Sequence, residues 1–322
     1  MIYFKFPFDE TLYSTDKGSG QKKIGFYAFD GSDPLEFAGN VVEISPEYFA
    51  DTVISSKHLP EGTAGFVAET KDEYLNQLEN VIGVIKENHL PKLVYSRRKI
   101  FREFQEIDLK SSFKNLCTSY PNAFRYIFND GEHSWMGAFS EVLGKFNKTT
   151  HEFETMSLAG TLPVSENWSE KEIEEQKPVT NYIRTILNNY SENVDESGTF
   201  DHISGNIKHL RTDFKAKIQP EDLDALIQVL HPTPAVCGIP KEFCKESIQK
   251  LEKFSRELYA GYIKIETEDT VQYFVNLRCS RLYQDSVHVF VGGGITAQSN
   301  PEKEWIETEL KSEAVLKNLV VL

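Results

Sequence analysis

The sequence lacks the features that mark membrane proteins and nucleic-acid-binding proteins. No segment approaches the ~20 apolar residues of a membrane span, and the first residues show no basic segment followed by an apolar one. Lys and Arg number 35 against 49 Asp and Glu, which gives a formal net charge of -14. Nucleic acid and anionic membranes both require a basic surface. We therefore expect a cytoplasmic protein that binds neither.

Cysteines are also few, and their spacing matches no metal or disulfide motif. Cys117, Cys237, Cys244 and Cys279 show no CxxC pair, so we expect reduced, partly buried thiols. Internal repeats and low-complexity tracts are missing, and no glycine-rich turn joins an early strand to a helix, which disfavours a parallel dinucleotide-binding fold. The 322 residues are 40% hydrophobic and 12% aromatic, which is typical of one large globular domain or two merged subdomains.

Strand-like runs and helical segments alternate along the chain. β-rich runs at 2–6, 23–29 and 64–70 predict an early antiparallel sheet, which makes residues 1–90 a β-rich N-terminal part. Later runs predict a three-stranded meander at 123–130, 134–146 and 151–161, and a hairpin formed by 259–267 and 271–283. Helical periodicity and capping residues predict helices at 72–88, 108–119, 169–190 and 241–257. This order predicts an α+β fold of antiparallel sheets with helices packed outside.

The densest cluster of chemically usable residues lies near the C-terminus. Gly292-Gly293-Gly294 precedes Pro301, and we interpret the segment as a strand, a glycine turn and a helix. Within that helix Glu304, Glu307 and Lys311 lie at i, i+3 and i+7 and share one face. The simplest interpretation is a solvated face with an ordinary i, i+4 ion pair. Alternatively, the face could hold a metal and an anion, because glycine amides let a carboxylate approach the backbone closely.

Nine short motifs follow one another from Lys92 to the C-terminus. They are KLVYSRR, MGAFSE, SLAGT, EEQKPV, IKHL, LHPTPAVCG, RELYAG, NLRCS, and GGGI with EWIETELK. In this order they resemble the chorismate-utilising enzymes, and within them the isochorismate synthases. The resemblance implies the aminodeoxychorismate synthase-like fold of that family, with residues 91–322 as the chorismate-binding catalytic region and residues 1–90 as a shortened N-terminal part.

The resemblance also implies a role for each matching residue. Lys92 matches the lysine that activates water, and Glu141 matches the general acid that protonates the departing hydroxyl. The magnesium-ligating glutamates are matched by Glu175 and Glu307, with Glu304 as a less certain third carboxylate. Positions around the substrate are matched by Gly160, Thr161, His209, Tyr259, Arg278, Gly292 and Lys311.

The implied reaction is the conversion of chorismate to isochorismate. Water adds at C2 while the C4 hydroxyl leaves, so one group takes a proton and another gives one. Because a lysine acts as a base only without its proton and a glutamate acts as an acid only with one, we expect Lys92 and Glu141 in a closed, partly desolvated pocket, on opposite faces of the ring. Mg²⁺ would let an acidic protein bind a dicarboxylate.

Two motifs depart from the family pattern, and several alternatives stay open. The usual Ser-Pro-Glu around the acid is Phe139-Ser140-Glu141, and the histidine that often follows the metal-ligating glutamate is Gln176. Ala159 disfavours an aminodeoxychorismate synthase, which carries lysine there, and Lys92 disfavours an anthranilate synthase. A salicylate synthase and an inactive chorismate-binding relative remain as alternatives. The product could serve menaquinone or siderophore synthesis, of which we favour menaquinone, and we expect a monomer.

Overall fold

The computed structural model describes residues 1–16, 18, 20–52, 56–62, 66–102, 104–204 and 207–322. Within these ranges the chain forms eighteen strands in two sheets, with seven α-helices packed on them. The strands are β1 (Ile2–Lys5), β2 (Leu12–Thr15), β3 (Ile24–Tyr27), β4 (Leu35–Phe37), β5 (Val41–Ile44), β6 (Lys92–Phe101), β7 (Phe124–Asn129), β8 (Ser134–Phe139), β9 (Val142–Asn147), β10 (Glu152–Pro163), β11 (Val194–Glu196), β12 (Phe200–Ser204), β13 (Ile207–Lys217), β14 (Gly238–Ile239), β15 (Tyr262–Glu266), β16 (Thr270–Val275), β17 (Cys279–Leu282) and β18 (Val287–Ile295). The helices are α1 (Pro46–Asp51), α2 (Lys71–Glu87), α3 (Leu109–Ser119), α4 (Glu170–Leu187), α5 (Leu223–Leu230), α6 (Lys241–Leu251) and α7 (Pro301–Leu316).

Both sheets are antiparallel, which confirms the predicted α+β class. The first sheet has the order β14-β6-β18-β17-β8-β7-β1-β2-β5. The second has the order β11-β13-β10-β9-β16-β15-β3-β4, and β12 pairs with β13. Strands from residues 1–90 therefore extend both sheets, and the division of the chain at residue 90 stays a prediction.

The main hydrophobic core lies between the two sheets. Phe124 of the first sheet stacks on Phe274 of the second with ring centroids 4.5 Å apart, and Tyr126 contacts Phe26 at 5.1 Å. A second buried cluster covers the other face of the first sheet, where α3 and α7 pack. Side chains of β8 alternate accordingly, because Trp135 belongs to the main core and Met136 to the second cluster.

Helix boundaries follow the capping residues of the sequence. The capping box of Ser169 and Glu172 forms at the start of α4, and the helix continues through Pro178. At the start of α7 the Asn300 side chain accepts a hydrogen bond from the Lys303 N–H, directly before Pro301. These contacts position two helices that carry site residues.

Four predictions of local structure are wrong. The run 134–146 is two strands in different sheets, so the meander does not form, and the run 271–283 likewise divides between β16 and β17. Of the predicted strand 64–70, residues 66–70 form none, and residues 64 and 65 lie outside the described ranges. The helix at 241–257 ends at Leu251 because Glu252 turns away to accept hydrogen bonds from the Ser96 N–H and hydroxyl, both at 2.8 Å.

The four cysteines behave as the sequence predicts. Cys117, Cys237, Cys244 and Cys279 are all free and buried. Burial raises the pKa of the Cys117 thiol to about 11, so this thiol keeps its proton at neutral pH.

Candidate active site

One cavity of about 850 Å³, partly open to solvent, brings together eleven of the twelve predicted site residues. Its walls come from both sheets, from α4 and from α7. The twelfth residue, Glu304, is 2% exposed and lies behind the wall, with its carboxylate facing Gly293. Residues far apart in the sequence therefore share one concave site, which is the usual form of a small-molecule site.

Lys92 begins β6 and points into the cavity as a buried side chain. Its Nζ donates a hydrogen bond to Glu175 Oε1 at 2.7 Å. Glu175 comes from α4, so this ion pair joins the helix to β6 of the first sheet. The contact orients the Lys92 ammonium group, which has three donors on a long flexible stem and would otherwise adopt many positions.

Glu141 lies where the chain crosses from β8 in the first sheet to β9 in the second. Burial raises the pKa of Glu141 to about 7, although the positive charge of Lys92 acts in the opposite direction. A carboxyl group with this pKa is protonated for part of the time at neutral pH. Glu141 therefore meets the chemical requirement for a general acid.

A bulge in β10 shapes the cavity wall opposite β13. The pairing of β10 with β13 shifts between Ala159 and Leu162, and Gly160 has a φ of 72°. A side chain at Gly160 would lie 3.2 Å from Glu172 Cβ, so this position favours glycine for two reasons. The bulge turns the Gly160 carbonyl toward His209, whose Nδ1–H donates to it at 2.9 Å.

His209 in turn accepts a hydrogen bond from Arg278. The Arg278 guanidinium donates to His209 Nε2 at 2.9 Å, and Thr161 Oγ1 lies 3.2 Å from the other ring nitrogen. Burial and the Arg278 charge hold the pKa of His209 well below its usual range. Since the imidazole is neutral, it does not neutralise the guanidinium. Arg278 lines the cavity, where a guanidinium group can bind an anion.

The glycine triplet is not a turn, which corrects the prediction from sequence. Gly292, Gly293 and Gly294 lie inside β18 and pair with Ser96, Tyr95 and Val94 of β6. Glycine is required at these positions because neighbouring atoms already occupy the space that a side chain would need. A Cβ at Gly294 would lie 2.3 Å from Lys92 Cε, and one at Gly292 would lie 3.0 Å from the Tyr259 hydroxyl. The triplet forms the floor of the cavity.

Helix α7 is held against this floor by Arg97 of β6. The Arg97 guanidinium lies 3.8 Å from the centroid of the Trp305 ring, donates to Thr308 Oγ1 at 2.9 Å, and pairs with Glu309. On the cavity side, Lys311 Nζ donates to the Gly292 carbonyl at 2.9 Å and lies 2.7 Å from Glu307 Oε1. The predicted face of α7 therefore forms, and its i, i+4 ion pair borders the cavity.

The carboxylates of the cavity are suitable donors for Mg²⁺. Over the described ranges, no three His, Cys, Asp or Glu side chains form a ready metal cage. Mg²⁺ does not need one, because it usually binds one or two carboxylates and fills its other positions with water or substrate oxygens. Glu175 and Glu307 both line the cavity and supply hard oxygen ligands. The residues present fit this ion.

The sequence did not reveal a polar contact beside Glu141. Ser140 Oγ lies 3.0 Å from His202 Nε2, which belongs to β12. The two residues are 62 positions apart, and no motif connects them. The pairing of β12 with β13 brings this histidine to Ser140.

Comparison with known proteins identifies the class. A model of the chorismate binding enzyme family matches residues 53–320, so the chain belongs to that family. This confirms the family indicated by the nine motifs. No helix in the described part of the chain is both long enough and apolar enough to cross a membrane.

The relatives found in this comparison include named isochorismate synthases. The chain is 27% identical to isochorismate synthase MenF of Haemophilus influenzae over 246 residues, which are 72% of this chain and 57% of that protein. It is 33% identical to isochorismate synthase EntC of Escherichia coli K12 over 151 residues, which are 46% of this chain and 39% of that protein. The matched segments thus span about half of these relatives or less.

The fold is similar to that of a solved structure. The menaquinone-specific isochorismate synthase MenF of Escherichia coli superimposes with a TM-score of 0.81 at 19% identity, covering 98% of this chain and 88% of that one. This similarity confirms the predicted fold.

Proposed function

We propose that this protein is an isochorismate synthase, an isomerase that converts chorismate to isochorismate with Mg²⁺. The observation that carries the proposal is the cavity that contains both Lys92 and a Glu141 whose pKa is about 7. The names of the relatives support the same activity.

In this mechanism the two residues move protons in opposite directions. Lys92 acts as the base once its ammonium group has lost the proton that it holds in the ion pair with Glu175, and the amine then takes a proton from the water that attacks C2 of the ring. Glu141 gives a proton to the C4 hydroxyl, which leaves as water. Glu175 orients Lys92 through its hydrogen bond, so the base keeps its position while substrate enters and product leaves.

The remaining predicted residues would hold the substrate's two carboxylates. Arg278 and Lys311 supply positive charge, and the Gly160-Thr161 bulge and Gly292 supply close approach to the backbone. His209 supports Arg278, and Tyr259 closes the wall beside Gly292. Glu175 and Glu307, with Glu304 behind them, would hold Mg²⁺, which would neutralise and polarise a substrate carboxylate when bound.

The test is to incubate the purified protein with chorismate, with and without Mg²⁺, and to separate the products by chromatography. We expect isochorismate in equilibrium with chorismate, formed only with Mg²⁺ and without pyruvate. Salicylate together with pyruvate would instead identify a salicylate synthase. Binding of chorismate without any product would identify an inactive relative.

We also propose a use for the product, in menaquinone synthesis. Support comes from the relatives named MenF, while the vibriobactin-specific isochorismate synthase of Vibrio cholerae matches a longer part of the chain and keeps siderophore synthesis as the alternative. Removing the protein from its host should then lower menaquinone, and loss of a siderophore instead would contradict this. A monomer and a cytoplasmic location stay predictions, which sedimentation and cell fractionation would check.

A further inference from the structure

The acid Glu141 is held almost entirely through its backbone. Residues 140 and 141 lie between the two sheets and belong to neither ladder. The Glu141 carbonyl accepts one hydrogen bond, from the Val275 N–H at 3.1 Å. Among the described residues, no donor or acceptor is hydrogen-bonded to the Glu141 carboxyl group. The direction of this carboxyl group therefore depends on the contacts that fix residues 140 and 141.

Ser140 supplies the second anchor of that segment. It is buried, and its hydroxyl is hydrogen-bonded to His202 at 3.0 Å. His202 is itself fixed from the other side, because Arg211 Nη1 lies 3.4 Å from its Nδ1, and Arg211 Nε donates to Asp213 at 2.6 Å. An arginine only donates, so Nδ1 accepts and Nε2 carries the proton that is donated to Ser140.

The protonation state of His202 maintains its hydrogen bond to Ser140. Burial, together with the charges of Arg211 and Arg278, lowers the pKa of His202 to about 4. The ring is therefore neutral and keeps one tautomer throughout the neutral pH range.

The same contact separates the catalytic cavity from a second, open cavity of about 740 Å³. Ser140 borders both cavities, and His202 borders the open one. The outer walls include Phe8 and Ile203, which are 80% and 53% exposed, so this side is in contact with water. If the hydrogen bond between Ser140 and His202 were lost, water from the open cavity would reach the buried carboxyl group of Glu141.

We propose that His202, acting through Ser140, is a positioning residue that holds Glu141 in place and keeps its surroundings dry. The proposal rests on the proposed function for its kinetic consequence. It assigns a role in proton transfer to a histidine that touches neither the substrate cavity nor the reacting atoms. The hydrogen bond between Ser140 and His202 fixes the segment that crosses between the sheets and belongs to neither of them.

The experiment compares His202→Leu, which removes the donor, with His202→Gln, whose side-chain amide can donate from a similar position. We expect His202→Leu to lower kcat by about 10- to 100-fold while KM for chorismate changes less than about twofold, because the carboxylate-binding residues stay in place. His202→Gln should recover most of kcat. Ser140→Ala should match His202→Leu, and the double variant should be no worse than either single one, because both break the same contact.

A matched control is His288→Leu. His288 is buried, whereas His202 is half-buried, and the His288 ring packs against Phe66 and Tyr283 at 4.7 Å, away from the substrate cavity. We expect this variant to keep the wild-type kcat. A kcat for His202→Leu within about twofold of wild type, or a His202→Gln variant as slow as His202→Leu, would overturn the proposal.

A second measurement keeps this proposal separate from the proposed function. The ionisation midpoint of Glu141 can be followed by NMR of protein labelled with ¹³C at the glutamate carboxyl groups, with Glu141→Gln to assign the signal. In His202→Leu the midpoint should fall toward that of an exposed glutamate, because water reaches the carboxyl group. An unchanged midpoint would overturn the positioning role. Failure of the wild-type protein to make isochorismate would refute only the proposed function.

Discussion

The floor of the cavity offers a direct test through Gly294→Ala. A methyl group at this position would lie 2.3 Å from Lys92 Cε, 2.5 Å from Glu175 Oε1 and 2.7 Å from Lys92 Nζ. All three atoms belong to the ion pair between the proposed base and a proposed metal ligand. The substitution therefore acts on the reacting groups without removing any of them.

The size of the effect follows from the displacement that the methyl group requires. Lys92 must retreat by about 1 Å to reach an ordinary van der Waals separation from the new carbon. A displacement of this size at a catalytic group costs about 10²-fold in rate. The free energy of unfolding should fall by only about 1 to 2 kcal/mol, because the atoms that move are the ends of flexible side chains.

The assay measures kcat for isochorismate formation together with unfolding in urea. Gly83→Ala serves as control, because nothing lies within 4 Å of the added methyl group in helix α2. We expect the control to keep its activity and to gain about 0.5–1 kcal/mol of stability. A Gly294→Ala protein that folds and keeps kcat within about threefold of wild type would refute the assignment of Lys92 and Glu175 to the reaction.

The remaining predictions concern Glu141, Glu307 and Arg97. Activity should fall as pH rises through about 7, because only the protonated Glu141 carboxyl group can donate a proton. The variant Glu141→Gln should lose about 10²- to 10⁴-fold in kcat while it still binds chorismate. Full activity of this variant would contradict the role of Glu141 as the acid. Glu307→Gln should abolish Mg²⁺-dependent turnover, and a normal Mg²⁺ response would contradict the ligand role. Arg97→Met should lower the free energy of unfolding by about 2 to 4 kcal/mol in urea titrations, because Arg97 joins α7 to β6; an unchanged urea midpoint would show that α7 docks without it.

Local structure was predictable wherever one residue type determines it. The capping box at Ser169, the start of α7 at Pro301 and the free cysteines all follow from local chemistry. The assignment of strands to sheets was not predictable, because β8 and β9 follow each other in one largely apolar run of the sequence although they lie in different sheets. A hydrophobic pattern shows that a strand is buried, but it does not show which sheet the strand joins.

The site residues came from a comparison of motifs, and the structure adds the reasons for them. The glycine triplet suggests a turn when only backbone freedom is considered, but its actual cause is the crowding by Lys92, Glu175 and Tyr259. The contact of Ser140 with His202 could not be predicted from sequence, since it depends on the register of β12 against β13. Contacts between distant segments are decided by the tertiary structure.

The crossings between the two sheets also link ligand binding to the folding of the whole chain. Glu141 and Arg278 lie at such crossings, so the cavity exists only when both sheets are complete. A ligand that requires the complete cavity binds the native state and not a partly unfolded one. At a concentration 100 times its Kd it would add about 2.7 kcal/mol to global stability, distributed over both sheets. Amide hydrogen exchange should then slow in β2 and β4, far from the cavity, as much as in β18 beside it.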